Sequence, residues 1–150
     1  MAFSEEQSGW LAGAHELMLE ISGNGTAFIL LGPSWLVSGL QLGRDYPDVE
    51  SPGCLDLLAL RKWDALEGLL QAIETLEGEL DPPSPIPVIG PMRAGQGPFS
   101  FRFGWGRVRV FSSLPGLGDY EKLYVDTVFV DWDGVSIPML GTPKRSLERP

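Results

Sequence analysis

Four prolines, Pro82, Pro83, Pro85 and Pro87, fall within six residues, and no regular element can run through them. Proline lacks an amide donor and fixes φ, so it breaks helix interiors and central strands alike. The stretch from Asp81 to Pro87 is therefore an extended, semi-rigid link, and the fold must be assembled from what lies on either side of it. The two sides differ in charge. Residues 1–81 carry 14 acidic and 3 basic side chains, net −11, whereas residues 82–150 carry 6 acidic and 8 basic, net +2.

They differ in pattern as well. Ser4-Glu5-Glu6-Gln7 has the form of an N-terminal capping box. Trp10, Leu11, Ala14, Leu17, Met18 and Ile21 follow at helical spacing, which predicts a helix over about residues 5–21. The alternative pairs Leu17–Ile21 as a strand with Ala27–Leu31 across Asn24-Gly25. The unbroken stripe from Trp10 to Ile21 favours the helix. Thr26–Leu31 reads as a buried strand, and Trp35-Leu36-Val37 as its continuation after Gly32-Pro33. Leu55–Leu60 suits either a strand or a helix start. From Trp63, apolar residues at 66, 69, 70, 73, 76 and 80 predict a helix over 62–80 with Asp64, Glu67, Glu74, Glu77 and Glu79 largely outside its stripe.

Beyond the link, Phe99, Phe101, Phe103 and Trp105 alternate with other residues, then Val108 and Val110 alternate in the opposite phase. A phase switch of that kind requires a bulge or a tight turn at Gly104-Trp105-Gly106. Tyr124–Trp132 and Val135–Met139 predict two more strands, joined by a type I′ turn at Asp133-Gly134. The tail with Lys144, Arg145 and Arg149 reads as a loose basic end. The sum is an α+β fold, early amphipathic helices packed against a mainly antiparallel β-sheet. It forms one domain over 1–150, with a helical acidic subregion 1–81, a proline-rich link 82–91 and a β-rich subregion 92–150. A chain this long buries roughly two thirds of its unfolded surface, so it needs no metal or disulfide to hold a core.

Few chemistries survive inspection. One histidine and one cysteine exclude zinc clusters of the usual composition. Gly23-Asn24-Gly25 and Gly32-Pro33-Ser34 lack the lysine and spacing of a phosphate-binding loop, and Gly116-Leu117-Gly118 lacks the third glycine of a dinucleotide fingerprint. No cofactor is expected. Cys54 reads as a small packed residue, or as a thiol activated at a helix start, and His15 as a helix-surface or partly packed residue. Asp126, Asp131 and Asp133 are the candidate oxygen ligands for Mg²⁺ or Ca²⁺ in a metal-assisted hydrolase. The plainer account has Asp133 making the turn and Asp131 pairing with an arginine on a neighbouring strand. Arg102, Arg107 and Arg109 among Phe101, Phe103 and Trp105 resemble in composition a surface that stacks single-stranded nucleic acid. That reading needs Phe101 and Trp105 exposed, and the acidic half repels phosphate.

What the charge favours is a basic protein partner. The proline-bounded loop with Asp45, Tyr46, Asp48 and Glu50, together with Trp63, Asp64, Glu67 and Glu74 at the start and on the outer face of the second long helix, forms the candidate docking surface. Trp63 also reads as core. The function expected is a non-catalytic protein that binds and inhibits a basic partner such as a nuclease or other nucleic-acid enzyme, in the manner of an immunity-type or phage-type inhibitor. Internal pairing between the two halves is the rival explanation of the charge split. A single cysteine, the lack of a leader-like apolar start and the lack of a long apolar run lead to the expectation of a cytoplasmic protein with no membrane contact.

Overall fold

In the computed structural model, which describes residues 5–141, strands from both sides of the proline link interleave in one seven-stranded sheet. The elements are α1 (Glu5–Gly23), β1 (Phe28–Gly32), α2 (Ser34–Leu42), β2 (Cys54–Ala59), α3 (Trp63–Thr75), β3 (Glu79–Leu80), α4 (Ile89–Arg93), β4 (Phe99–Phe103), β5 (Gly106–Phe111), α5 (Tyr120–Leu123), β6 (Thr127–Trp132) and β7 (Val135–Leu140). The strand order is β3-β4-β5-β2-β1-β7-β6. Four junctions are antiparallel, while β2–β5 and β1–β7 are parallel. The fold is α+β, with early helices against a mostly antiparallel mixed sheet.

Strand alternation sorts the sheet's two faces. Phe28 and Leu30 of β1, Leu55 and Leu57 of β2, Phe101 and Phe103 of β4, Val108 and Val110 of β5, and Ile137 and Met139 of β7 share one buried cluster with Trp10, Leu17 and Ile21 of α1 and with Leu66 and Leu69 of α3. The opposite face carries Asp56 and Arg109 side by side in register. Ile29 and Leu58, also on that face, are fully buried.

The stripe from Trp10 to Ile21 is helical, so Leu17–Ile21 belongs to α1 and pairs with no strand. Ser4 and the tail residues Lys144, Arg145 and Arg149 lie outside the described residues. Leu55–Ala59 resolves as strand, with Leu60 just beyond it, and Cys54 stands at the start of β2, so a thiol poised at a helix start does not arise. The turn at Asp133-Gly134 has both residues at positive φ, 46° and 92°, as a type I′ hairpin requires. Phe103 pairs with Gly106 across Gly104-Trp105, so the phase switch is a two-residue turn.

Three expectations are corrected. Trp35–Val37 does not extend β1 but lies in α2, a helix stopped at Gly43 in the left-handed region, φ 65°. The predicted strand from Tyr124 begins only at Thr127, because Tyr124–Asp126 is a 3-10 turn following α5. The helix over 62–80 ends at Thr75. Glu77 adopts φ 65°, its N–H donates to Glu74 O (2.9 Å), and the Gly78 N–H donates to Ile73 O (2.8 Å). These two bonds form a Schellman stop. A Cβ at Gly78 would collide with the Phe103 ring, so glycine sits one place beyond the left-handed residue. Glu79-Leu80 then pairs with Arg102-Phe101 as an edge strand.

Candidate functional site

The proline-bounded acidic loop is fastened to the core. Gln7, fully buried on α1, donates from Nε2 to Pro47 O (2.8 Å) and accepts at Oε1 from the Val49 N–H (3.3 Å). The Trp35 indole N–H donates to Pro52 O (2.8 Å) and that of Trp10 to Gly53 O (3.0 Å). Three side chains thus hold four main-chain groups of the segment, the carbonyls of Pro47, Pro52 and Gly53 and the N–H of Val49. Asp48 and Glu50 remain exposed on that segment, and Asp45 is exposed just before it.

Tyr46 turns inward. It packs edge-on against Trp35 at 5.6 Å, Trp35 meets Trp10 at 5.3 Å, and Trp10 meets Trp105 edge-on at 5.7 Å. Gly39 makes room for it, since a Cβ there would stand 2.6 Å from Tyr46 Cδ1.

This packing shapes one wall of an open cleft of about 550 Å³. Its walls are Leu11 and His15 from α1, Leu40 with Arg44, Asp45 and Tyr46 from the end of α2 and the segment after it, and Asp131 to Asp133 from the β6–β7 turn. The cleft joins residues the sequence assigned to separate hypotheses. Asp45 and Tyr46 of the docking loop face Asp131 and Asp133 of the candidate metal group. His15 and Arg44, which the sequence did not single out as site residues, complete it. The one available signal was the i,i+4 spacing of Leu11 and His15, which places them on one helix face.

The electrostatics follow from the geometry. The Tyr46 phenol is raised above its ordinary pKa, first by burial and then by the charge of Asp133. His15 Nε2 lies 2.9 Å from Trp132 O, and its ring packs edge-on against Trp132 at 5.1 Å. A carbonyl only accepts, so Nε2 carries the proton and donates. Among the described residues no serine, threonine or cysteine lines the cleft.

Asp126 stands apart, in the 3-10 turn before β6, where its carbonyl accepts from the Gly141 N–H. Among the described residues no three His, Cys, Asp or Glu side chains are grouped so as to hold a metal ion. Asp131 faces Ser136 rather than an arginine, and its carboxylate reaches the Gly134 N–H at 3.5 Å.

The remaining docking residues lie elsewhere. Trp63, 46% exposed, and Asp64 begin α3 and line a second open pocket of about 410 Å³. Arg93 lies over the Trp63 ring at 5.6 Å. Asn24, just past the end of α1, donates to Gly68 O on α3. Gln7, near the other end of α1, holds the 45–50 loop, and the separation along the helix is about 25 Å. Trp63 and Asp64 therefore do not share a patch with that loop. Glu67 and Glu74 are exposed on α3.

Phe101 is 4% exposed and unavailable for base stacking. Trp105 packs on Phe103 and Trp10. Arg102, Arg107 and Arg109 pair with Glu79 (2.8 Å), Asp81 (2.6 Å) and Asp56 (2.8 Å) respectively. The Arg109–Asp56 pair is two-pronged and is the leading cause of the raised Arg109 pKa.

No helix among the described residues is long and apolar enough to cross a membrane. Comparison of the chain with protein-family models, with curated proteins and with solved structures gave no match.

Proposed function

We propose that this chain is a non-catalytic acidic protein whose cleft takes up a basic segment of a protein partner. The observation that carries the reading is the convergence of Asp45, Asp131 and Asp133 on one cleft. None of the three makes an ion pair among the described residues. Leu11, Leu40 and the Tyr46 ring line the same space, which suits the alkyl stem of an arginine or lysine below its charged head. Asp45 lies between Arg44, whose N–H donates to Gly39 O (3.0 Å), and Tyr46, packed on Trp35, which lowers the cost of ordering its backbone at the moment of binding. A nucleic-acid enzyme exposes such basic segments where it grips phosphate, so a protein occupying them inhibits it. That makes a basic nuclease or related enzyme the partner class.

An oligo-arginine peptide provides a defined probe, with titration calorimetry at low and at physiological ionic strength. Binding should weaken as salt rises. Asp45→Asn, Asp131→Asn and Asp133→Asn combined should reduce affinity about tenfold or more, the scale of a few close charge pairs. Glu67→Gln with Glu74→Gln, on α3, should change it less than about twofold. If the triple variant binds as the native chain does, the cleft is not the docking site.

A further inference from the structure

The strand at the open edge of the sheet is the second feature that points outward. Beyond β6 no described residue continues the sheet, so one row of its main-chain N–H and C=O groups has no strand partner there. Edge strands are ordinarily blunted by shortness, proline, lysine or a bulge. The opposite edge obeys this. β3 is two residues long, carries the exposed Glu79–Arg102 pair, and runs into Asp81-Pro82-Pro83. By contrast, β6 is six residues long and contains no lysine, arginine or proline. It pairs with β7 in unbroken register from Thr127↔Leu140 to Trp132↔Val135. Val128 is 42% exposed and Phe129 59%. Being consecutive in a strand, they project to opposite faces, so apolar surface flanks the free edge on both sides.

The sequence of β6 is self-complementary in a way that selects the occupant. Two strands related by a two-fold axis pair only residues of equal parity, so an antiparallel β6–β6 ladder must centre on a residue. Centred on Phe129, the ladder sets Val128 opposite the partner's Val130 and Thr127 opposite the partner's Asp131. No two carboxylates face each other. The two Phe129 rings meet at the axis, and Val128 and Val130 cover each other on the other face.

We infer that β6 is a self-pairing edge, on which a second copy of this chain docks antiparallel about a two-fold axis at Phe129, joining two sheets into one. It rests on the free edge of β6 rather than on the cleft, although Asp131 belongs to both. Each copy carries net charge −9, so the copies repel at long range, and salt strengthens the dimer while it weakens capture of a basic peptide. The opposite salt responses keep the two proposals separable in one preparation.

Sedimentation velocity over a concentration series, at low and high salt, provides the test. The native chain should show a dimer fraction that rises with both protein and salt. Phe129→Lys removes the ring pair and sets two ammonium groups face to face, so it should weaken dimerisation about tenfold or more. Its thermal melt by circular dichroism should stay native, because residue 129 is already exposed. In a Cys54→Ala background, Phe129→Cys should form a disulfide-linked dimer under mild oxidation. Asp131→Cys, which faces Thr127, should cross-link far more slowly. A chain that stays monomeric at every concentration and salt, a dimer indifferent to Phe129→Lys, or preferential cross-linking through residue 131 overturns the assignment.

Discussion

Replacing Gln7 by alanine tests whether the acidic loop is held or merely passes by. The side chain is fully buried and serves two main-chain groups of the loop, donating to Pro47 O and accepting from the Val49 N–H. Each such bond contributes about 1 kcal/mol net, and a partner left buried without a mate costs more. Truncation should therefore cost about 2–3 kcal/mol. At about 2–4 °C per kcal/mol for a chain of this length, the melting temperature should fall by about 5–10 °C. Hydrogen exchange read by mass spectrometry should rise over residues 44–53 beyond the change elsewhere. Affinity for the basic peptide should drop as well, since Asp45 loses its fixed seat. Gln7→Glu retains shape and the acceptor for Val49 but sets a carboxylate oxygen against Pro47 O, so it should be no better than alanine. A cost below about 0.5 kcal/mol, with loop exchange unchanged, would refute the reasoning and return 45–50 to the status of an unattached surface loop.

Other substitutions probe the same framework. Gly39→Ala places a methyl 2.6 Å from the Tyr46 ring and should cost about 1–3 kcal/mol by overpacking, read by chemical denaturation. Trp63→Ala, at a half-exposed site, should cost less than about 1 kcal/mol, whereas Trp10→Ala, buried at 2% exposure, should cost about 3–5 kcal/mol. Glu77→Gly relieves a non-glycine left-handed residue and should stabilise the chain by about 0.5–1 kcal/mol. The raised Tyr46 pKa means that the folded state holds the phenolic proton longer than the unfolded state. Its contribution is intact below the ordinary tyrosine value near 10 and is lost as pH rises through the raised folded value. Ultraviolet titration should show two delayed tyrosinates, since the Tyr120 phenol is also raised, by burial and then by Tyr124, and only that of Tyr46 should respond to Asp133. Asp133→Asn should bring that of Tyr46 only part of the way back, because burial is the larger cause.

How much was legible in the chain depends on the kind of constraint. α1, the strands of the aromatic half and the Asp133-Gly134 turn rest on local periodicity and φ demands, and these could be read directly. α2 was missed because its Trp35-Leu36-Val37 start is β-like by composition. The bracketing Pro33-Ser34 and Gly43 held the corrective signal. The early stop of α3 depends on the Phe103 ring arriving at Gly78, a contact between distant segments that no periodicity records. The cleft was hidden for the same reason. Asp45 and Asp131 are far apart in sequence, and only the burial of Gln7 and the Trp10–Trp35–Tyr46 stack bring their segments together. Gln7 itself looked like a capping residue, and nothing local assigns its amide to Pro47 and Val49.

The charge split between the halves can now be divided into a part that is used and a part that is left. All four ion pairs among the described residues join one half to the other: Arg61–Asp119, Arg102–Glu79, Arg107–Asp81 and Arg109–Asp56. Internal pairing is therefore real. It draws, however, on carboxylates beside the sheet, and engages only three of the fourteen acidic residues before the link. Asp45, Asp48, Glu50, Asp64, Glu67 and Glu74 take part in none of these pairs. Mutual repulsion among unpaired carboxylates lowers stability, so neutralising residues that only solubilise should stabilise the chain. Neutralising Asp45, Asp131 and Asp133 should do so too, but with loss of peptide capture. Stability and binding moving in opposite directions at the cleft, and stability alone moving on α3, is the pattern that separates a docking site from acidity in general.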